Sequence, residues 1–188
     1  MKIALLGGTF DPPHNAHLEA CRYLLEQEDF DRVWLMPTYK HAFGKQTAAF
    51  HHRTAMCALL SKAFRGRVLV SEVERNLAGA GVNRTIDTVL YLKAHHPHED
   101  FTFIIGSDNL EQLSDWKDID RLKQEIEFLV LRRPGFKDQP GWTFSQTTLP
   151  DVSSTQIRES IFKDQPITDL TPEPVQEYIR ENSLYQDE

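Results

Sequence analysis

Short apolar runs alternate with longer amphipathic stretches along most of the chain. The runs are rich in β-branched or aromatic residues and each is followed by glycine, proline or polar residues. They predict five strands, at residues 2–6, 32–36, 67–72, 101–105 and 127–131. Between them, apolar residues recur at helical spacing and predict helices at residues 16–27, 50–64 and 84–95. This alternation favours a parallel α/β sheet.

The pattern changes after residue 133. Residues 134–150 are rich in proline, glycine and polar side chains, which predicts a loop around a short strand at residues 142–145. Ser153 then begins a helix as its N-cap, with Gln156 three residues later completing a capping box.

A last helix is predicted to open at Thr171 and Pro172, because proline is favoured at the first helical position. We expect both terminal helices, from about residue 151, to cover the sheet. They then belong to one domain that spans residues 1–188.

Composition and charge narrow the class of protein. Apolar residues make up 40% and charged residues 26% of the 188 residues, as in an ordinary soluble enzyme. The formal charge of 21 − 28 = −7 argues against a nucleic-acid partner, because binding a phosphate backbone usually takes a basic excess. No apolar run reaches the ~18 residues of a membrane span, and the first six residues are too short for a secretory core. The two cysteines, Cys21 and Cys57, cannot form a disulfide framework, so we expect a cytoplasmic protein without a membrane partner.

Candidate chemistry begins directly after the first predicted strand, in the run GGTFDPPHNAH at residues 7–17. In an open α/β sheet, ligands bind beyond the carboxyl ends of the strands. The two glycines allow the backbone N–H groups to approach a ligand, and the following helix offers free donors and a positive dipole end to an anion. His14 and His17 share a helix face if the helix begins near Pro13. The run therefore predicts a clamp for a polyphosphate.

Two plainer interpretations compete with this one. A Gly-Gly pair after a strand is often only a tight turn. A His-x-x-His pair can also be half of a zinc site, which His51 and His52 would complete in a zinc hydrolase. We favour phosphate, because zinc-binding histidines more usually lie four residues apart with an acidic ligand nearby.

A second candidate run, SSTQIR, occupies residues 153–158. Ser153 and Ser154 supply hydroxyl and backbone donors at a capped helix start, and Arg158 adds a guanidinium one turn later. That combination suits a triphosphate. Taken alone, the run is equally typical of an ordinary N-cap followed by a solvated arginine.

These two runs, in this order, resemble the two signatures of the nucleotidyltransferase superfamily. Further segments, from Met1 to about Tyr185, resemble the nicotinate-nucleotide adenylyltransferases. They are IGSD at residues 105–108 with Trp116 downstream, RRPG at 132–135 and VQEYIRENSLY at 175–185.

The resemblance implies a Rossmann-like, doubly wound parallel sheet with helices on both faces and a C-terminal helical segment. It implies adenylyl transfer from ATP to nicotinic acid mononucleotide, with Mg²⁺ on the ATP phosphates, giving deamido-NAD and pyrophosphate in NAD biosynthesis. Nicotinamide mononucleotide, or both mononucleotides, is the alternative acceptor. A phosphopantetheine adenylyltransferase and a nucleotide-binding regulator without turnover are less favoured. Self-association into a homo-oligomer is left open.

The resemblance also implies roles for individual residues. His14 and His17 act on the phosphates, with His17 at the α-phosphate in the transition state. The ATP-binding residues implied are Gly7, Gly8, Thr9, Phe10, Ser153, Ser154, Thr155 and Arg158. The mononucleotide-binding residues implied are Arg84, Thr85, Gly106, Asp108, Trp116 and Arg133. Among these, Asp108 binds the mononucleotide and Trp116 stacks on its pyridine ring.

The chain departs from the family pattern in two places. Arg84 replaces the tyrosine of a Ser-Tyr-Thr segment, and it either pairs with the nicotinate carboxylate or points to solvent. The usual Pro-Pro-His-Lys becomes PTYKHAFGK at residues 37–45, so the phosphate-binding role there passes to Lys40, His41 or Lys45.

Overall fold

Six parallel strands form the central sheet of the protein, in a computed structural model that describes residues 1–39, 47–78 and 84–186. The strands are β1 Lys2–Gly8, β2 Arg32–Pro37, β3 Val68–Val70, β4 Asp100–Gly106, β5 Glu127–Arg132 and β6 Thr143–Thr148. Their order across the sheet is β3-β2-β1-β4-β5-β6, and every neighbouring pair is parallel. The predicted parallel α/β sheet is confirmed.

Helices cover both faces of this sheet. They are α1 Asn15–Glu26, α2 Phe50–Ser61, α3 Val73–Ala78, α4 Thr85–His95, α5 Ile119–Glu125, α6 Ser154–Phe162 and α7 Glu173–Glu181, with 3₁₀ helices at Lys62–Phe64 and Ser107–Asp115. Strand β1 shows why both faces are apolar: Ala4 and Leu6 pack in the core cluster with α1 and α2, whereas Ile3 and Leu5 pack with α3, α4 and α5. Successive strand residues point to opposite faces, so a doubly covered strand must be apolar throughout.

The strand order reverses between β1 and β4, which lie side by side although residues 9–99 separate them in the chain. Connections leave β1 and β4 toward opposite sides, and this opens a crevice at their carboxyl ends. The run after β1 and the segment after β4 therefore meet at the same point of the carboxyl edge.

Several elements differ from the prediction. β1 continues through Gly8 instead of ending at residue 6, because its backbone stays paired with β2 up to Pro37. β6 is a full strand of six residues within the segment predicted to be mostly loop. The sequence pattern does not predict α3, α5 or the 3₁₀ helix at Ser107–Asp115, because none of these segments has a long apolar repeat.

The C-terminal helices begin close to where the sequence predicts. Ser153 is the N-cap of α6 and its hydroxyl accepts the Gln156 N–H at 3.1 Å. α7 begins one residue later than predicted, with Pro172 as its N-cap. It packs on α2, where Met56, Val175 and Ile179 form a small core of their own, rather than directly on the sheet.

Within the described ranges, no helix is long and apolar enough to cross a membrane.

Candidate active site

The turn of residues 9–13 links β1 to α1 at the carboxyl edge. His14 is the N-cap of α1, so the helix begins at Asn15, one residue before the start predicted at residue 16. Some of its first N–H groups are already used: Asn15 donates to the Leu170 carbonyl at 2.9 Å and His17 to the His14 carbonyl at 2.8 Å. The expectation that this helix start offers its donors freely to an anion is therefore only partly met.

Gly7 and Gly8 are required for packing within the protein. A Cβ on Gly7 would lie 3.2 Å from Cζ of the Phe103 ring, and one on Gly8 would lie 3.3 Å from the Phe10 ring. Both separations are tighter than ordinary carbon contacts. The sequence predicts that the glycines let a ligand approach, whereas in the structure aromatic rings fill the space beside both Cα atoms. Their contact with ATP stays a prediction.

Phe10 has a left-handed backbone at φ 52°, while its ring is 1% exposed. A bulky residue in this conformation costs about 1–3 kcal/mol and persists only where its surroundings hold it. In the described part of the chain, the N–H groups of Thr9, Phe10 and Asp11 have no hydrogen-bond partner. The strained turn therefore keeps three main-chain donors available.

His14 and His17 lie against each other, with ring centroids 3.8 Å apart. The His14 main-chain N–H donates to His17 Nδ1 at 3.1 Å. Because Nδ1 of His17 accepts, the proton of its neutral ring sits on Nε2, and this ring can donate from Nε2 to a ligand. Among the described residues, Nδ1 of buried His14 has no partner.

Burial keeps both imidazoles neutral. It lowers the pKa of His17 to about 3, with Arg133 adding a smaller repulsion. It lowers the pKa of His14 further, with contributions from His17 and Arg133. In the unliganded protein at pH 7 the pair acts through hydrogen bonds rather than charge, and Arg133 is the cation beside it.

Side chains from three other elements hold the carbonyl side of the turn. The Thr9 carbonyl accepts from Arg53 Nη1 at 2.7 Å, and the Asp11 carbonyl from Arg158 Nη1 at 2.6 Å. The Pro12 carbonyl accepts from the Ser154 hydroxyl at 2.8 Å, and the Pro13 carbonyl from the Thr171 hydroxyl at 2.7 Å. These bonds occupy four carbonyls of the turn, whereas the N–H groups of residues 9–11 have no partner among the described residues.

The second candidate run thus meets the first. Ser154 and Arg158 reach the turn directly, and Arg158 Nη2 also donates to the Thr155 hydroxyl at 3.2 Å. Ser153 acts as a helix cap. The predicted triphosphate contact of Arg158 stays a prediction, since its guanidinium already serves the turn and is only partly exposed.

Two buried residues of opposite charge, linked through Ala48, lie beneath the turn, and sequence reasoning largely missed them. Asp11 and Arg53 are each 2% exposed, and both bind Ala48: its N–H donates to Asp11 Oδ1 at 3.0 Å, and its carbonyl accepts from Arg53 Nε at 3.0 Å. The Tyr185 hydroxyl also donates to Asp11 Oδ1, at 2.8 Å. The available signal was Arg53 itself, a cation on the same helical stripe as buried Met56.

The segment after β4 supplies the other side of the crevice. A Cβ on Gly106 would overlap Oδ1 of exposed Asp108 and would approach Cγ of Arg133 to 3.5 Å. The Arg133 N–H donates to the Ser107 hydroxyl at 2.9 Å, and its Nη2 to the Val152 carbonyl at 2.8 Å. Arg133, expected at the mononucleotide, therefore also links this segment to the histidine pair and to the loop before α6.

Trp116 is partly exposed and packs its indole edge-on against Phe103, with centroids 5.8 Å apart. Phe103 is the ring that covers Gly7. Arg84 is the N-cap of α4 and Thr85 its first residue, both partly exposed. A helix that crosses between parallel strands starts at their carboxyl edge, so the topology places Thr85 on the same edge as the turn.

One set of predicted residues lies outside the described part of the chain, and another does not join this site. Lys40, His41 and Lys45 lie outside the described residues. His51 stacks on His52, whose Nδ1 lies 3.0 Å from the Tyr178 hydroxyl at the contact of α2 with α7. In the ranges that the structure covers, no three histidine, cysteine or acidic side chains are grouped as metal ligands, and nothing there supports the zinc-hydrolase alternative.

Comparisons with known proteins agree with this geometry. The sequence model of the cytidylyltransferase-like family matches residues 5–160. A probable nicotinate-nucleotide adenylyltransferase of Myxococcus xanthus is 40% identical over 98% of this chain and 95% of the relative. The nicotinate-nucleotide adenylyltransferase of Bacillus subtilis is 36% identical over 98% of each chain. The fold matches the nicotinic acid mononucleotide adenylyltransferase of Plasmodium falciparum complexed with NaAD, with TM-score 0.85 and 22% identity over 98% of this chain and 97% of the other.

Proposed function

Since the chain belongs to the cytidylyltransferase-like family and, within it, to the nicotinate-nucleotide adenylyltransferases, we propose that it transfers the adenylyl group of ATP to nicotinic acid mononucleotide. The products are deamido-NAD and pyrophosphate, and the reaction is a step of NAD biosynthesis. The enzyme is a nucleotidyltransferase.

The main support for this proposal is the contact between the two candidate runs at the carboxyl edge, where the strand order reverses. Ser154 and Arg158 bind the carbonyls of Pro12 and Asp11, although more than 140 residues separate the partners. These contacts occupy carbonyls of the turn, and we assign the N–H groups of residues 9–11 to phosphate oxygens, which oriented backbone donors favour.

In the reaction, an oxygen of the mononucleotide 5′-phosphate attacks the α-phosphorus of ATP. A new P–O bond forms there as the bond from the α-phosphorus to the bridging oxygen breaks, and pyrophosphate leaves with that electron pair. Enzymes that catalyse such transfers mainly align the two anions and stabilise the charge that develops on the phosphates. We propose that His17 donates from Nε2 to a non-bridging α-phosphate oxygen and that His14 binds the adjoining phosphates. Arg133 supplies positive charge beside them.

A divalent cation fits this site through the substrate. Asp11 already binds Ala48 and Tyr185, and the described residues hold no carboxylate cluster for an ion, so the phosphates of ATP are the ligands to expect for Mg²⁺. When bound, Mg²⁺ neutralises the charge that shifts to pyrophosphate.

The other side of the crevice is assigned to the mononucleotide. The partly exposed indole of Trp116 offers a flat face to the pyridine ring, and exposed Asp108 offers oxygens to the ribose hydroxyls. Thr85 and Arg84 lie at the start of α4 on the same edge. We assign the nicotinate carboxylate to Arg84, since a carboxylate is the group that a guanidinium binds best.

The test is pyrophosphate release with Mg-ATP and one acceptor at a time: nicotinic acid mononucleotide, nicotinamide mononucleotide or phosphopantetheine. The proposal predicts the largest kcat/KM with the nicotinate acceptor, and loss of that preference in Arg84→Ala. Release with phosphopantetheine alone, or ATP binding without release for any acceptor, contradicts it. The single-domain organisation and the cytoplasmic location stay predictions.

A further inference from the structure

Asp11 is the centre of a buried network beneath the catalytic turn, and the proposed reaction does not use it directly. Its Oδ1 accepts from the Ala48 N–H and the Tyr185 hydroxyl, and its Oδ2 lies 3.8 Å from Arg158 Nη1. Asp11 and Arg53 are both 2% exposed. A carboxylate this deeply buried is stable only when cations and donors surround it.

Arg53 links Ala48, whose N–H binds this carboxylate, to the backbone of the turn. One guanidinium bridges two carbonyls, that of Thr9 through Nη1 and that of Ala48 through Nε. Arg158 holds the carbonyl of Asp11. Left-handed Phe10 thus lies between two carbonyls, each held by an arginine, which is how a strained residue is kept in place.

Tyr185 brings the C-terminal segment into the same network. It lies four residues after the end of α7 and also has a left-handed backbone, at φ 65°. Its hydroxyl is a dependable donor, because burial and the nearby Asp11 raise its pKa well above the ordinary value. A second strained residue at the same carboxylate indicates that the network is built for position as well as for burial.

We propose that Arg53 and Tyr185 are positioning residues for the adenylyl transfer. Arg53 acts through the Thr9 carbonyl and Tyr185 through Asp11, and together they fix the turn of residues 9–13, and so the aim of its N–H groups and of His14 and His17. Neither residue touches substrate. This inference rests on the proposed function, and it adds two residues and the C-terminal segment to the machinery of that site.

The experiment compares Arg53→Met, Arg53→Lys and Tyr185→Phe with two matched controls. Arg67→Met removes another guanidinium that binds carbonyls, those of Leu25, Phe30 and Asp31, at the amino edge. Tyr178→Phe removes another C-terminal hydroxyl, the one at His52. For each protein, kcat and both KM values are measured by pyrophosphate release, and Tm by thermal unfolding.

We expect Arg53→Met to lower kcat on the order of 10²-fold, the typical effect of misplacing catalytic groups by about 1 Å. Both KM values should change much less. Arg53→Lys keeps the charge but cannot bridge two carbonyls, so its kcat should fall between those of Arg53→Met and the parent. Tyr185→Phe should lower kcat severalfold, and the controls should lower Tm alone.

A spectroscopic readout separates this inference from the proposed function. The Nε2–H tautomer of His17 is visible in imidazole ¹H–¹⁵N spectra, and its signals should change in Tyr185→Phe and Arg53→Lys but not in Tyr178→Phe. If Arg53→Met fails to fold, these two milder variants carry the test. Unchanged kcat and unchanged His17 signals in both overturn the inference. A parent protein without turnover, whose His17 signals still respond, instead overturns the proposed function alone.

Discussion

Arginines hold main-chain carbonyls at both edges of the sheet, yet the two edges differ in burial. At the amino edge, exposed Arg67 binds the carbonyls of Phe30 and Leu25, and the terminal ammonium pairs with Glu99 at 3.0 Å. At the carboxyl edge, Arg53 and Asp11 are almost completely buried. Solvent-exposed ion pairs contribute little to stability, whereas burying charged groups costs desolvation that nearby charges and hydrogen bonds must offset.

The difference between the two edges indicates that the functional site lies at the carboxyl edge. The carboxyl edge combines left-handed Phe10, two neutral imidazoles and turn donors left without partners among the described residues. Each of these features costs folding free energy, and together they are typical of a site arranged for a ligand. The amino edge has surface ion pairs instead, and we expect substitutions there to change stability alone.

The largest expected effect is that of His17→Ala. Loss of one preorganised donor at the transition state should lower kcat on the order of 10²–10³-fold. His95→Ala is the control, because this exposed ring contacts the carbonyl and the ring of Tyr91 at the end of α4, away from the turn. Steady-state kinetics at saturating substrates measures both, and full kcat in His17→Ala contradicts the assignment.

The next largest effect is expected at Trp116, with Trp142 as its control. Trp116→Ala should raise KM for the mononucleotide about tenfold, as expected for loss of a base-stacking face, and leave KM for ATP almost unchanged. Trp142 is the control at the other edge, where it packs against Phe128 and under the Lys123 ammonium. Equal effects of Trp116→Ala on the two KM values would indicate that Trp116 only supports the core.

The buried imidazoles also predict how stability depends on pH. Because the pKa of His17 is about 3 when folded and ordinary when unfolded, the unfolded state binds more protons below about pH 6.5. The free energy of unfolding should therefore fall as the pH drops, by up to about 1.4 kcal/mol per pH unit for this residue. Urea unfolding at pH 7 and pH 5 should show a smaller drop in His17→Gln. An identical drop in both proteins contradicts burial of a neutral His17.

The smallest effect is expected for Ser154→Ala. Its hydroxyl donates to the Pro12 carbonyl, and its loss should lower the free energy of unfolding by about 1 kcal/mol and kcat severalfold. Ser61→Ala removes a similar bond to the Ala58 carbonyl at the exposed end of α2 and should leave kcat unchanged. Equal kcat in the two variants would show that the Ser154 hydroxyl does not position the turn.

The features that the sequence predicts are local. Strand and helix patterns, the Ser153 cap and the two candidate runs each lie within a few residues, so periodicity and motif spacing are enough to find them. The meeting of the runs at one edge then follows from the rule that ligands bind beyond the carboxyl ends of parallel strands.

The features that sequence reasoning missed depend on distant contacts. Asp11 meets Tyr185 across 174 positions, and Gly7 is required by the ring of Phe103, 96 positions away. Neither pairing has a spacing that a single sequence can show. A buried cation on an apolar stripe, as at Arg53, was the one local sign that a buried acidic partner existed.

The most direct measurement is an amide ¹H–¹⁵N titration with an ATP analogue that cannot be cleaved between the α- and β-phosphates. We predict that the N–H signals of Thr9, Phe10 and Asp11 shift on binding, because these donors bind the phosphates. Those of Asp31 and Arg67, at the amino edge, should stay in place. Shifts at the amino edge without shifts in the turn would contradict the claim that the carboxyl-edge turn holds the nucleotide.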